Sequence, residues 1–121
     1  MNWQVEYYKK ENGEIPVLEY LLGLDAKMRA KAFSEIELLQ KHGVNLREPY
    51  SKAIKGEKYK NIFELRVKFS SNISRIFYFT FKNNTFVLLN GFTKKSDATP
   101  QKELNKAVKY KQDYERRCNN E

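Results

Sequence analysis

The arginines at positions 66 and 75 stand on either side of a short polar turn, Ser70-Ser71-Asn72. With a loop of the two residues Ser70-Ser71, Phe69 sits opposite Asn72, and counting back along both strands sets Arg66 directly opposite Arg75. Like charges facing each other in a sheet cost about 0.2–1 kcal/mol. A chain that keeps such a pair has a use for it, and guanidinium forks suit a shared anion held bidentately. A second two-residue turn at Asn83-Asn84 fits asparagine, which tolerates the left-handed conformation such turns need. It sets Arg75 opposite Phe92, with Lys94 on the same face just beyond. A three-residue first loop would put the two arginines on opposite faces.

These side chains need a sheet to hold them. Asn61 to Thr99 contains three apolar runs rich in Phe, Val, Ile and Tyr, separated by short turns. That pattern predicts an antiparallel meander, because parallel strands require a long crossover. One face collects Phe63, Leu65, Val67, Ile76, Tyr78, Thr80, Val87, Leu89 and Gly91. The other carries Glu64, Arg66, Lys68, Arg75, Asn90 and Lys94 at one end, and Phe79, Phe81, Phe86 and Leu88 at the other.

Before the meander, Trp3 to Lys9 alternates apolar and polar residues and reads as an opening strand ended by Asn12-Gly13. Pro16 suits the first turn of a helix that Gly23 closes. Asp25 then caps a longer helix to about His42, with Gly43 just past its end. Met28, Ala32, Phe33, Ile36 and Leu39 recur there at helical spacing, so the two helices form a hairpin that covers the apolar sheet face. His42 reads as a helix-end residue, where the dipole mildly favours a cation, rather than a catalytic group. Val44 to Lys60 reads as a long connection, and its lysines at 52, 55, 58 and 60 widen the basic surface beside Arg66 and Lys68. After the meander, Thr99-Pro100 opens a last helix to about Arg117, with Leu104, Ala107, Val108 and Tyr114 facing the Phe-rich end of the second sheet face. That leaves the Arg66, Arg75 and Lys94 end open.

The expected architecture is therefore a single α+β domain over residues 1–121. It has an antiparallel sheet, made of the opening strand and a three-stranded meander, in the order β-α-α-β-β-β-α. One cysteine, Cys118, excludes a disulfide framework, and one histidine makes a zinc site untenable. No cofactor or metal is expected. MNWQVEYYKK has no apolar run of signal-peptide length, and no stretch is long enough to span a bilayer, so a soluble cytoplasmic protein is expected. Lysine and arginine total 23 against 15 acidic residues, a net charge of +8 that favours a polyanion or an acidic protein as partner.

Four strings occur together in one order and spacing: Phe63-Glu64-Leu65-Arg66, Arg75-Ile76-Phe77-Tyr78, Leu88 to Lys95, and Thr99-Pro100. In this combination the chain resembles the RelE/HigB superfamily of toxin–antitoxin toxins, in its phage-derived HigB-type branch. The resemblance implies a RelE-like fold and an mRNA interferase that cuts messenger RNA on the ribosome and inhibits translation. It also implies a cognate antitoxin, commonly a helix-turn-helix protein. By the same resemblance Arg75 matches the arginine that contacts the scissile phosphate, Arg66 matches the arginine of the preceding strand motif, and Lys94 and Lys95 match basic residues after the last strand. Tyr110 and Tyr114 have no assured counterpart among the C-terminal acids or bases of relatives.

RNA carries its own nucleophile, so such an enzyme needs to align the 2′-OH with the adjacent phosphate and stabilise the charge that develops. Arg75 and Arg66 suit the second task, and Lys94 or Lys95 is the available base. Lys52, Lys55, Lys58, Lys60 and Lys68 would bind the RNA backbone, and Phe92 and Tyr59 would stack on bases. Two other readings stay open: a basic module that holds RNA or DNA without cutting it, and a structural protein whose basic face receives an acidic partner.

Overall fold

The computed structural model describes residues 3–82, 84–94 and 100–119. Its elements are β1 (Gln4–Tyr7), α1 (Pro16–Leu22), α2 (Ala26–His42), β2 (Ser51–Ala53), β3 (Ile62–Phe69), β4 (Asn72–Phe81), β5 (Thr85–Lys94) and α3 (Gln101–Asn119). The strands form one five-stranded mixed sheet in the order β1-β5-β4-β3-β2.

Two features correct the expected order. A short strand, β2, forms inside the segment read as a loop, pairing antiparallel with β3 through Ser51–Leu65, Lys52–Glu64 and Ala53–Phe63. The opening strand β1 runs parallel to β5. The rule that short turns force antiparallel pairing applies only to strands adjacent in sequence, and β1 reaches β5 across the whole chain.

The helix signals hold locally. Asp25 caps α2 by accepting a hydrogen bond from the Met28 amide at 2.9 Å, and Gly43 closes it with φ of 56°. Met28, Ala32, Ile36 and Leu39 are buried against Leu65, Val67, Ile76 and Tyr78 of the sheet. On the opposite face, Leu104 and Ala107 of α3 pack on Ile62, Phe77, Phe79, Val87 and Leu89. Helix α3 runs two residues beyond the expected end; Thr99, its expected cap, lies outside the described residues.

The first hairpin has the expected two-residue turn, with Phe69 opposite Asn72 and Ser70 at φ of 59°. The second does not. Phe81 pairs with Thr85, so this loop has three residues, with Asn84 left-handed at φ of 56°; Asn83 of the expected turn lies outside the described residues. The one-residue difference is undone by a bulge, since Tyr78 pairs with Leu88 while Phe77 pairs with Asn90. Between loop and bulge every side chain of β5 therefore changes face. Phe86 and Leu88 join the α1–α2 core, whereas Val87 and Leu89 join the α3 core, the reverse of the expected sorting. Past the bulge the expected register returns, and Arg75 lies opposite Phe92. Gly91 then sits beneath the Tyr20 ring, where any Cβ would come within 2.5 Å of a ring carbon. Tyr20 is held there by hydrogen bonds with Ser74 and Thr93.

The C-terminal end of α3 is tied to the strand edge by a polar cluster. The Tyr8 hydroxyl donates to Asp113 at 2.6 Å, and Asp113 also pairs with Arg116 and Arg117. Burial, and then the Asp113 carboxylate, push the Tyr8 hydroxyl up to about 12, while the hydrogen bond from Tyr8 and those from the two arginines hold Asp113 below the usual carboxylate range. Because Tyr8 is raised in the folded state, its contribution is complete below the unfolded value of about 10 and is lost as pH climbs toward the folded one. Asp113 behaves oppositely: its contribution is present above about 4 and is lost as pH falls. Tyr8→Phe should lower stability by about 1 kcal/mol at neutral pH and flatten part of the alkaline fall in melting temperature. Half-buried Tyr7, Tyr20 and Tyr114 and buried Tyr78, also raised, contribute to the remainder. Thermal melts of both proteins across the alkaline range check this; an unchanged alkaline limb in Tyr8→Phe would assign the fall elsewhere.

No helix among the described residues is long and apolar enough to cross a membrane.

Candidate functional site

Arg66 and Arg75 are direct cross-strand partners, as the turn chemistry requires. They line one cleft of about 410 Å³ together with Lys52, Ala53, Ile54, Lys55 and Glu64. Its outer wall is β2 and the residues just after it. The Lys52–Glu64 pairing sets Lys52 on the same sheet face as Glu64, Arg66 and Arg75. Main-chain hydrogen bonds from Ile54 to Ile62 and from Arg66 to Tyr50 fix this wall to β3. Four cationic side chains thus surround one carboxylate.

The two arginines are not equivalent. Arg75 is only 2 % exposed and donates from Nη1 to Oε1 of Glu64 at 2.7 Å, with Glu64 equally buried. Glu64 lies opposite Phe77, two positions along β4 from Arg75, so the contact is diagonal across the ladder. It relieves the repulsion that the facing arginines would otherwise suffer. The expectation that Arg75 stands open is therefore corrected: Arg75 is half of a buried ion pair at the floor of the cleft. Arg66 is partly exposed beside it.

The remaining expected residues distribute around this centre. Ile73 pairs with Lys94 on one side and Lys68 on the other, so both lysines flank the sheet end two pairs beyond Arg75. Neither borders the cleft itself. Lys95 lies outside the described residues. Lys58 and Lys60 are exposed in the turn before β3 and do not border the cleft. Phe92 is half-buried, with its ring 5.6 Å from that of Phe77. Tyr59 is also half-buried; it packs on the α3 core and takes a hydrogen bond from Gln101, so it is not the open stacking surface expected. Tyr110 stacks on Tyr8 at 4.9 Å, and Tyr114 lies against Phe79 and Phe81. Burial, followed by the Glu6 carboxylate, raises the Tyr114 hydroxyl, which makes it a poor proton donor. His42 sits at the end of α2, away from the cleft.

Sequence reasoning named Lys52 but placed it in a loop rather than on a strand, and it missed Glu64 as the anionic partner of Arg75. The signal for that partner was present in the alternation itself, which places Glu64 and Arg66 on one face.

The site defines an α+β protein with a basic cleft on one face of a mixed sheet. The family model described as Phage derived protein Gp49-like (DUF891) matches residues 19–112, a span from α1 through most of α3 that contains every residue of the cleft. The chain belongs to this phage-derived, toxin–antitoxin-associated family. No curated protein sequence matches it.

Proposed function

We propose that the protein is the toxin of a type II toxin–antitoxin system, a RelE/HigB-type mRNA interferase that cleaves messenger RNA on the ribosome. The observation that supports this most is the cleft, in which Lys52, Lys55, Arg66 and Arg75 converge within a toxin–antitoxin-associated family. Arg66 is the phosphate ligand: it is reachable, and its planar fork matches two phosphate oxygens. Arg75 forms the floor and, through Glu64, holds the local charge in place. Lys52 and Lys55 draw in the RNA backbone, and Lys68 and Lys94 extend the track. The reaction is attack of the 2′-OH on the adjacent phosphate, with the bond to the departing 5′-oxygen breaking. In-line positioning and charge stabilisation carry most of the acceleration, with the ribosome contributing alignment. A helix-turn-helix antitoxin would neutralise the toxin by laying acidic side chains over the cleft.

Induced expression, with growth and translation followed together, tests the toxin reading. Cleavage of RNA with and without ribosomes tests the chemistry. A protein that binds RNA but cuts none under either condition would be a non-catalytic basic module instead. The lysines give a further expected result. Lys52→Ala with Lys55→Ala should weaken RNA binding, with each removed phosphate contact lowering the salt slope of log K by about 0.9, or about 0.7 on single strands. A salt titration of both proteins measures this, and an unchanged slope would remove these lysines from the interface.

A further inference from the structure

A second cavity, of about 430 Å³, lies on the other face of the sheet, under the segment that follows α2. Its walls are aromatic. Phe63 and Tyr78 stack at 5.5 Å, and Phe86 meets Tyr78 edge-on at 5.5 Å. Polar groups gather at one side: the Tyr78 hydroxyl hydrogen-bonds with Ser51, Thr80 lies on the same strand, and Arg47, Glu48 and Lys52 border the space from exposed positions. Apolar walls with polar groups at one side are what a flat heterocycle needs, and the volume falls in the range of small-molecule sites, about 300–1,000 Å³.

This cavity and the basic cleft share a wall. Lys52 and Ala53 border both. Along β2, Ser51 is bonded to Tyr78 on the cavity side while Lys52 pairs with Glu64 on the cleft side. Only the width of this edge strand separates the two spaces, and its outer main-chain groups face away from the sheet. A nucleic-acid strand with a phosphate in the cleft can therefore turn a neighbouring base over that edge.

Resting on the RNA-cleaving reading above, we propose that the cavity holds a base of the bound RNA strand, and that Glu48 selects bases bearing an amino group over uracil. A carboxylate accepts hydrogen bonds and cannot donate them, so it matches the amino hydrogens of guanine, adenine and cytosine. Uracil turns an imino group flanked by two carbonyl oxygens toward it, and those oxygens repel the carboxylate. The selection is a preference for base identity next to the cleaved phosphate.

Trp3 is the chain's sole tryptophan and stacks on Phe86 at 5.0 Å, so its fluorescence reports on this cavity. Titration with GMP, AMP, CMP and UMP should give saturable changes for the first three. UMP should bind on the order of 10-fold more weakly, the scale of one good base-edge contact. Glu48→Gln keeps the side-chain shape but adds a donor, and should shrink the UMP gap to about threefold or less. Thr80→Phe fills the cavity from a strand position that tolerates aromatic residues and should abolish every response. Circular dichroism checks its fold, and Glu48→Gln, at an exposed position, decides the matter if Thr80→Phe does not fold. The proposal is overturned by no saturable response to any nucleotide, by equal UMP binding in the unaltered protein, or by a response that survives in folded Thr80→Phe. RNA cleavage by the unaltered protein is scored separately. Cleavage without nucleotide binding sinks this inference alone, and nucleotide binding without cleavage sinks the toxin chemistry but keeps the base site.

Discussion

Arg75→Ala should lower the unfolding free energy by about 3–5 kcal/mol, because it strips a buried carboxylate of its cation. Arg75 and Glu64 are 2 % and 3 % exposed in their side chains and 2.7 Å apart, so neither charge can fall back on water when the other is removed. Domains of this kind are stable by only about 5–15 kcal/mol in total, so the variant would sit near the threshold of folding. For a domain of this size the melting temperature should fall by on the order of 10–20 °C. Glu64→Gln should be destabilising for the mirror-image reason. Replacing both partners with apolar residues of similar volume, as in Glu64→Leu with Arg75→Met, should recover much of the loss, since the desolvation cost of the pair disappears with the charges. Urea unfolding of the three variants followed by circular dichroism measures this. An Arg75→Ala midpoint equal to that of the unaltered protein would show that the pair is solvated in solution. The consequence for function is direct: loss of growth arrest in Arg75→Ala would report unfolding as readily as lost chemistry, so the phosphate ligand has to be tested elsewhere.

The facing of Arg66 and Arg75 was legible because it depends on one local fact, the two-residue loop at Ser70-Ser71, and everything else is counting. The same holds for Asp25 and Gly43, whose roles are decided within one turn of the helix they bound. The second hairpin shows how narrow that ground is. Its loop is one residue longer than expected, and the Arg75–Phe92 pairing survives only because the bulge opposite Phe77 and Tyr78 removes the extra step. The segment Phe86-Val87-Leu88-Leu89 contains no polar residue to mark an outer face, so nothing in its composition distinguishes the two registers. Strand β2 was hidden for a different reason. Ser51-Lys52-Ala53 has weak strand preference and forms because β3 offers it an open edge. The direction of β1 and the burial of Arg75 are likewise decided by distant parts of the chain, which no local pattern records.

Arg66→Ala is the variant that should separate chemistry from stability. Arg66 shares the ladder position of Arg75 but is partly exposed at the cleft, and its main-chain hydrogen bond to Tyr50 does not depend on the side chain. Truncation also removes the like charge that faces Arg75, whose repulsion Glu64 already relieves. Stability should therefore fall by less than in Arg75→Ala, which strips a buried carboxylate of its cation. The cleavage rate should fall far more. A preorganised cation aimed at a phosphate that gains charge in the transition state contributes about 3–4 kcal/mol, or roughly 10²–10³ in rate. Arg66→Lys should restore only part of this, because an ammonium keeps the charge but not the bidentate fork. Growth arrest, RNA cleavage and urea unfolding should be measured together on Arg66→Ala, Arg66→Lys and Arg75→Ala. The expected pattern is a folded, inactive Arg66→Ala beside a destabilised Arg75→Ala, with Arg66→Lys between the first and the unaltered protein in rate. Full cleavage activity in a folded Arg66→Ala would remove this residue as the phosphate ligand and leave the cleft's lysines as the groups that hold the RNA.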